Sequence, residues 1–345
     1  MCVSLAVIAG LMSASVGMAS QPVAATASTL PSGGLTGRCA VHTLELPPGT
    51  TQGVVSAGDP SGQWLAGVPG PAVHAILRWH NHIVEAFPLP DGYTYAQVSG
   101  VTSNGDIVGF LESGSAHRGF ALMDGQFTIL GPANGTQTAE PVGVADDGTV
   151  VGNLRAGSET QPVFWSLDAP MNPQPIQLHP GYSGRLVDVS ADGEIAGVEH
   201  LPPAGNAISF VTRVGQSQPT TTLRGLLGNT SVTFVAAAAD GFALGFADEE
   251  DDEPPHLVRW NLRSGSVQHL DDDTFNAIAI NSRGMVAGQS METGGPALLH
   301  KGREVLLSDR GGRDGGVTTV STNGAPAGVL YTPSEEPVWW ECGVL

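Results

Sequence analysis

A glycine-centred phrase returns along the whole chain at intervals of about forty residues. It reads "SNGDIVG" at Ser103–Gly109, and its copies place their first glycine at positions 62, 105, 148, 193, 241, 284 and 324. In most copies Asp, Asn or Ser precedes this glycine and a short apolar stretch follows it, a pattern typical of a turn that enters a strand. A period of this length indicates an array in which each copy is one supersecondary unit.

Each unit contains the residues of four short strands. One apolar strand precedes the turn glycine, a second follows it and ends in another glycine, and a third is visible as "HAILRW" (His74–Trp79) or "HLVRW" (His256–Trp260). A fourth ends near a leucine such as Leu89 or Leu130. Four antiparallel strands in about 43 residues are the content of one propeller blade. The seven copies therefore predict an all-β, seven-bladed β-propeller, one domain over residues 38–345.

The last copy lacks a fourth strand, because the chain ends after "PVWWECGVL". A spare strand, "RCAVHTLEL" (Arg38–Leu46), precedes the first copy. Leu46 lies 16 residues before Gly62, and the corresponding steps elsewhere are 15 to 18 residues. We therefore expect the amino-terminal strand to complete the seventh blade, which closes the ring and leaves no free edge between the first and last blades.

The cysteines provide an independent test of this closure. Cys2 lies in the leader, which leaves Cys39 on the amino-terminal strand and Cys342 in the last third strand. Closure makes these two strands neighbours, so we predict a Cys39–Cys342 disulfide, with two unrelated thiols as the alternative. A bridge across roughly 300 residues contributes on the order of 4 to 5 kcal/mol in the chain-entropy model.

Residues 1–27 are apolar, rich in small residues and end in "AATA", a pattern typical of a secretory signal peptide with an A-x-A cleavage site. No Lys or Arg precedes the apolar stretch, so a merely apolar leader is the alternative. Glycines and serines interrupt the run, which argues against a membrane span. We expect a flexible linker at 28–37 and a secreted, extracellular protein.

The net charge of −19, from 14 basic and 33 acidic residues, argues against nucleic acid as a partner. Nothing in the sequence indicates a second subunit, and we expect a monomer.

The best copies of the repeat are "AIAINSRGMVAG" (Ala277–Gly288) and "HAILRW" with His74. These resemble the HAF family of bacterial extracellular repeat proteins, over about 38–345. The resemblance implies an exported β-propeller. It implies no catalytic residues.

Motifs of strong chemical meaning are absent from the sequence. It contains no H-E-x-x-H, no C-x-x-C and no G-x-S-x-G, and "GGRDGG" (Gly311–Gly316) lacks the G-K-[ST] ending of a phosphate loop. Neither zinc chemistry nor a nucleophile elbow is indicated.

Asp188 interrupts a ring of small side chains. Five residues before each turn glycine, the first strands carry Ala57, Gly100, Gly143, Asp188, Ala236, Ala279 and Thr319. First strands line the channel of a propeller, so we expect Asp188 to face it and to need a partner or a ligand there. The alternative is a purely structural hydrogen-bond acceptor, for which Asp188→Asn costs about 1 kcal/mol or less. Arg185 is the candidate charge partner.

Blade geometry places the second-to-third-strand loops and the blade-to-blade connections on one face. That face then carries aromatic and polar side chains suited to a small polar or carbohydrate-like ligand. The candidate ligand-binding residues are Asp188, Arg185, Tyr93, Tyr95, Tyr182, His179, Glu199 and His200.

Two acidic runs lie in the same set of loops, Asp248–Glu253 and Asp271–Asp273. They predict a Ca²⁺ site, because hard cations take clusters of oxygen ligands, and a solvated surface is the alternative. The candidate ligands are Asp248, Asp251, Asp252, Asp271 and Asp272.

Two classes of function remain open at this stage. One is a secreted propeller that binds a ligand or a surface partner through its loops and channel mouth. The other is an extracellular hydrolase or lyase with its active site at the channel mouth. A carboxylate or histidine cluster that converges on the channel favours the enzyme, and dispersed groups favour binding.

Overall fold

The computed structural model describes residues 39–114, 116–131, 138–201, 207–216, 221–225, 233–247, 255–270, 275–307, 311, 314–331 and 334–343. Regular structure in these ranges consists of 28 β-strands, all of which fall within one compact unit. They pair into seven four-stranded antiparallel sheets, which confirms the predicted seven-bladed β-propeller. No helix within the described ranges is long and apolar enough to cross a membrane.

The strands follow one another in chain order, four to a blade. Strand β1 is Cys39–Thr43, and blade 1 contains β2 (Gly53–Gly58), β3 (Trp64–Pro69), β4 (Ala75–His80) and β5 (Ile83–Pro88). Blade 2 contains β6 (Tyr95–Val101), β7 (Ile107–Ser113), β8 (Ala116–Met123) and β9 (Gln126–Ile129). Blade 3 contains β10 (Thr138–Val144), β11 (Thr149–Ala156), β12 (Glu159–Ser166) and β13 (Gln174–Pro175). Blade 4 contains β14 (Ser183–Val189), β15 (Ile195–His200), β16 (Ala207–Thr212) and β17 (Thr221–Thr222).

The remaining blades repeat the arrangement. Blade 5 contains β18 (Thr233–Ala239), β19 (Phe242–Ala247), β20 (His256–Asn261) and β21 (Ser266–His269). Blade 6 contains β22 (Phe275–Ile280), β23 (Val286–Ser290), β24 (Pro296–His300) and β25 (Arg303–Leu306). Blade 7 contains β26 (Gly315–Val320), β27 (Pro326–Leu330) and β28 (Glu336–Cys342), with β1 as its fourth strand.

The amino-terminal strand closes the ring as expected. In the β1–β28 pair, Cys39 lies directly opposite Cys342, and the two are joined by a disulfide. The expected leucine register is wrong by two residues. The buried Leu44, not Leu46, donates its N–H to Pro337 O at 2.9 Å, as Leu130 donates to Gly119 O in blade 2. The closing strand therefore ends earlier than the spacing indicated.

Steric constraints explain why both positions of the repeated phrase are glycine. The first adopts φ between 72° and 90° in all seven blades, a left-handed conformation that costs glycine little. The second lies opposite a β-bulge that recurs in every first strand. A Cβ at Gly109 would lie 1.9 Å from Gln97 O, and one at Gly67 would lie 1.8 Å from Val54 O. Any side chain there would displace the first strand.

The core lies between the blades. The described buried residues form seven hydrophobic clusters, one at each boundary between neighbours. At the closing boundary Leu65, Leu77 and Trp79 of blade 1 pack with Ala327 of blade 7 and with Leu44. The ring is therefore continuous in packing as well as in strand pairing.

The recurring tryptophan of the third strand anchors the preceding connection. Trp79 Nε1 donates to Glu45 O, Trp165 Nε1 to Gly131 O and Trp260 Nε1 to Arg224 O, at 2.8, 2.9 and 2.7 Å. Each acceptor lies just after the fourth strand of the blade before. One side chain thus fills a blade boundary and satisfies a backbone carbonyl.

The turns between first and second strands lie at one end of the channel, which we call the turn face. At five of the seven blade boundaries a turn bonds the next one, as when Thr322 N donates to Pro60 O at 2.7 Å across the closing boundary and Asp146 N donates to Ala191 O at 3.0 Å between blades 3 and 4. The opposite end, where the first strands begin, is the loop face. The turn face is therefore the more regular end of the channel.

Candidate functional site

The first strands of all seven blades enclose a cavity of about 250 Å³ on the axis of the propeller. The bulge residue of each first strand lines it. Most of these side chains are small or hydroxylated, and they are Ser56, Ser99, Val142, Val187, Ala236, Ile278 and Thr318. The cavity also reaches turn residues such as Pro60 and Ala191, so it lies towards the turn face.

Asp188 directly follows the bulge in blade 4 and lines this cavity. The residue at the same position of blade 5 is Ala237, not Ala236, because the blade 5 turn is one residue shorter. The ring at this position is therefore Ala57, Gly100, Gly143, Asp188, Ala237, Ala279 and Thr319. Asp188 remains the one carboxylate among small neighbours.

Backbone donors from two blades hold the carboxylate of Asp188. Oδ1 accepts a hydrogen bond from Val189 N, and Oδ2 accepts one from Ala238 N in blade 5, each at 2.8 Å. On the other side, a Cβ at Gly143 would lie 3.3 Å from Oδ1. The side chain thus fits beside a glycine of blade 3 and bonds blade 5, which fixes its orientation.

The surroundings of Asp188 disfavour its charge. Asp188 is only partly accessible to solvent and lines the cavity. Burial raises the pKa of Asp188 to about 7, and the two backbone hydrogen bonds oppose that rise. No Lys, Arg or His is among the described residues that line the cavity. Asp188 therefore faces a space in which it has no counter-ion.

Two further carboxylates lie at the turn-face mouth of the cavity. Asp146 Oδ1 accepts a hydrogen bond from Ser103 N at 2.8 Å, and Asp240 Oδ1 accepts one from Asp192 N at 3.1 Å. Burial raises the pKa of Asp240, and the charge of Asp192 raises it further. We did not single out these two residues in the sequence. A signal existed only for Asp240, which stands immediately before the first glycine of its turn as Asp147 and Asp192 do in blades 3 and 4, whereas Asp146 lies one residue earlier.

Three of the predicted loop-face residues form one cluster between blades 3 and 4. His179 Nδ1 contacts Oε1 of Glu199, His179 N donates to Glu199 Oε2 at 3.2 Å, and Tyr182 packs edge-on against the imidazole at 5.9 Å. Glu199 is only 1% exposed. The pair joins the blade 3 to blade 4 connection to β15, and the carboxylate orients the ring.

His200 and Arg185 lie outside this cluster, beside a second cavity on the loop side. His200 Nε2 is 3.2 Å from Ser183 Oγ. Arg185 lines a loop-side cavity of about 640 Å³ with His200, and burial and then the nearby Arg155 lower its pKa. Arg185 does not line the Asp188 cavity and is not among the partners that the structure gives Asp188.

The predicted tyrosines differ in their surroundings. Tyr93 packs against the hydrophobic cluster between blades 1 and 2. Tyr95 is 49% exposed and lies opposite Glu112 in the β6–β7 pair. Burial raises the pKa of Tyr95, and the charges of Glu112 and Glu335 raise it further.

The loop-face cluster and Asp188 belong to different ends of the channel. In the β14–β15 pair, Glu199 lies opposite Gly184, whereas Asp188 lies opposite Ala196. Three residues of β15 separate these levels, because β14 carries its bulge in between, and this is roughly 10 Å at about 3.3 Å per residue. The two groups do not form a single site.

The predicted calcium ligands, Asp248, Asp251, Asp252, Asp271 and Asp272, lie outside the described residues. Within the part of the chain that the structure describes, no group of three or more His, Cys, Asp or Glu side chains is placed to hold a metal ion. The calcium hypothesis therefore stays a prediction.

Solved structures share the fold at low sequence identity. A puromycin hydrolase mutant complexed with PGG aligns with a TM-score of 0.58 and 16% identity over 84% of this chain, which spans about half (52%) of that chain. The β-propeller domain of the Trilobed protease from Pyrococcus furiosus gives 0.56 and 12%, over 85% of this chain and 94% of that one. YCF48 bound to D1 peptide gives 0.53 and 10%, over 88% and 94%. No family model and no curated protein matches the sequence. The comparisons show that the chain has a β-propeller fold.

Proposed function

We propose that this chain is a secreted, non-enzymatic propeller that binds a small polar ligand in its central channel, with Asp188 as the anchoring acceptor. The observation that carries the proposal is the position of Asp188. It is the one carboxylate in a ring of small side chains, and it lines the channel cavity in an orientation fixed by two backbone donors. A fixed acceptor in a cavity with small walls is suited to a ligand with hydroxyl or amino donors.

The chemistry of a carboxylate supports this class of ligand. Each oxygen of Asp188 uses one acceptor position on a backbone N–H and keeps another for the cavity. A sugar-sized or smaller molecule suits a space of about 250 Å³ better than a large ligand. Hydroxyl groups of the lining, at Ser56 and Ser99, supply further partners.

Export and binding fit the remaining features. The Cys39–Cys342 disulfide is compatible with an oxidising, extracellular location. The leader at 1–27 and the resemblance to the HAF repeat family support secretion as part of the proposal. YCF48, a chain that the alignment nearly covers, is bound to a peptide in its solved structure. A propeller of this size can therefore serve as a binding module without a further domain.

Three carboxylates line the channel cavity, but the oriented His179–Glu199 pair lies apart from them, and this separation favours binding over catalysis. A hydrolase or lyase needs an acid and a base near one reacting bond. The oriented His179–Glu199 pair lies roughly 10 Å along the strand direction from Asp188, too far for both to reach one reacting bond of a small substrate. We therefore keep an extracellular hydrolase or lyase as the second candidate function, with His179 as its candidate base.

A ligand-detected NMR screen of sugars, polyols and short amines tests the proposal. The double variant Ser56→Ile/Ser99→Ile narrows the channel, and blade 6 already carries Ile278 at the equivalent bulge, so the fold accepts this side chain. We expect at least one probe to bind the wild type and to lose at least tenfold in affinity in the double variant. Absence of binding by every probe, or binding that persists unchanged in the double variant, would overturn the proposal.

A further inference from the structure

The charged residues that line the cavity all have one sign. Asp188 lines its wall, Asp146 and Asp240 line its turn-face mouth, and no described lining residue is basic. Arg213 contacts Asp192 at 3.0 Å and Glu194 at 3.2 Å and is therefore already paired. Arg283 follows the lining residue Ser282 in the blade 6 turn, but it is exposed and does not line the cavity. Since low-dielectric walls concentrate a field, the cavity attracts positive charge and repels anions.

Asp188 lacks the partner that a buried carboxylate normally has. Two backbone N–H groups are neutral dipoles, and they leave the negative charge without a counter-ion beside the cavity. A neutral hydroxyl would add a hydrogen bond but no charge. An ammonium group would add both, in the short charge-assisted geometry that carboxylates favour.

We infer that the channel ligand is a small organic cation, a protonated primary amine whose ammonium group pairs with Asp188 while its short alkyl chain lies along the small side chains of the ring. This inference rests on the proposed function, because it specifies the ligand of the same site. The wall residues Ala57, Ala237 and Ala279 offer apolar contact to methylene groups. Among described residues no set of ligands for a divalent metal is present, which favours an organic cation.

A matched pair of probes isolates the charge. Putrescine (1,4-diaminobutane) and 1,4-butanediol have the same chain length and both donate hydrogen bonds at each end, but only the diamine is charged near neutral pH. We expect putrescine to bind the wild type at least tenfold more tightly than butanediol, measured by isothermal titration calorimetry at pH 8 in low salt. Addition of NaCl or CaCl2 at equal ionic strength shows whether an inorganic cation competes.

Two variants that each remove one negative charge test whether the carboxylate that attracts putrescine lies in the cavity. Asp188→Asn and Asp147→Asn each remove one carboxylate from this end of the protein, but Asp147 is exposed and does not line the cavity. We expect Asp188→Asn to lose at least tenfold in putrescine affinity and Asp147→Asn to change it less than twofold. An equal loss of putrescine affinity in both variants would show that putrescine responds only to the overall negative charge of the protein, and it would overturn the inference.

The pH dependence of the wild type gives a readout that needs no variant. The carboxylates that face the cavity are Asp146, Asp188 and Asp240, and no described lining group is a base. Because burial raises the pKa of Asp188 to about 7, putrescine affinity should rise severalfold from pH 5.5 to pH 8. A flat profile would contradict the pairing with Asp188.

The outcomes separate the inference from the proposed function. If butanediol or a sugar binds as tightly as putrescine and the Ser56→Ile/Ser99→Ile variant abolishes that binding, the channel binds a ligand but the inference of a cation is wrong. If putrescine fails and no other probe binds, both are wrong. If NaCl or CaCl2 alone displaces putrescine and shifts the melting temperature as much, the ligand is an inorganic cation and the inference is wrong.

Discussion

Oδ2 of Asp188 accepts a 2.8 Å hydrogen bond from the backbone N–H of Ala238, fifty residues further along the chain and in the neighbouring blade. The same carboxylate accepts a second bond from Val189 N through Oδ1. One side chain therefore satisfies two inner-strand donors and joins blades 4 and 5 beside the channel.

These two bonds revise the expected cost of Asp188→Asn. An asparagine side chain has one acceptor oxygen, so its NH2 group would face one of the two N–H donors. We expect a loss of about 1–3 kcal/mol in unfolding free energy rather than 1 kcal/mol or less, because a buried donor is left unsatisfied. Urea unfolding at pH 5 measures it, and a loss below about 0.5 kcal/mol would show that the second donor finds another partner.

Asp188 also makes stability depend on pH. Its folded pKa of about 7 exceeds the ordinary value of 3.8, so the folded protein holds this proton more tightly than the unfolded chain. The contribution is complete below pH 4 and is lost as the pH rises through 7, on the order of 4 kcal/mol in full. We expect the wild type without added ligand to lose stability from pH 5 to pH 8, and Asp188→Asn to lose clearly less. Identical slopes for the two proteins would contradict a buried, uncompensated Asp188.

His82 gives a dependence of the opposite sign. It stacks on Trp339 at 4.0 Å, and His42 stacks on the same indole at 4.6 Å. Burial lowers the pKa of His82, and the nearby His42 lowers it further, so the stabilisation is present above pH 6.5 and is lost as the pH falls below that value. We expect His82→Gly to weaken the loss of melting temperature between pH 7 and pH 5.

The backbone makes glycine the suitable replacement at this position. His82 has φ of 70°, whereas the equivalent hairpin turns of blades 2 and 6 place Gly125 and Gly302 at 77° and 72°. His82→Ala is the control, since it removes the same ring and keeps the backbone strain. If the glycine variant shows the same acid slope as the wild type, the group responsible lies elsewhere.

The disulfide should contribute strongly to stability because it closes a loop of 303 residues. In the chain-entropy model the loss on removing it is about 6 kcal/mol. We expect Cys39→Ser/Cys342→Ser to unfold at a lower guanidinium concentration than the wild type, and reduction of the wild type to reproduce that shift. Unchanged midpoints in both experiments would show that strand pairing and packing alone close the ring.

Trp165→Phe tests the anchoring of blade connections by the third-strand tryptophan. Trp165 is fully buried, and its Nε1 donates to the buried Gly131 O at 2.9 Å. We expect a loss of about 1–3 kcal/mol, since the carbonyl loses its donor and the smaller ring leaves space. Trp64→Phe is the control, because Trp64 stacks on His80 and phenylalanine retains a ring there. A larger loss in the control would contradict the anchoring role.

The sequence was sufficient to predict the architecture because its repeated residues meet local steric requirements of the backbone. Gly105 is required by a positive φ, and Gly109 by the approach of Gln97 O. Residues of this kind recur wherever the backbone recurs, so blade number and closure could be read from them. The sequence did not predict that Leu44 occupies the expected position of Leu46, or that the blade 5 turn is one residue shorter. The spacing between repeated residues does not show whether a given residue belongs to a strand or to the connection after it.

The functional site was only partly predictable. Asp188 could be recognised because it replaces a small residue at a repeating position, but its bond to Ala238 depends on how the bulges of two blades meet. The loop-face residues do not recur at a fixed spacing along the chain. The burial of Glu199 against His179, and the separation of Arg185 from Asp188, follow from how non-repeating connections pack, which spacing does not encode.

The central claim is that the turn-face end of the channel holds a ligand on Asp188. A high-resolution crystal structure of the protein purified from its culture medium and soaked with putrescine at pH 8 tests it most directly. The account predicts continuous density larger than water, with a polar atom about 2.7–2.9 Å from a carboxylate oxygen of Asp188. A channel that contains only separate water peaks, with the Asp188 carboxylate bonded to Val189 N and Ala238 N alone, would contradict it.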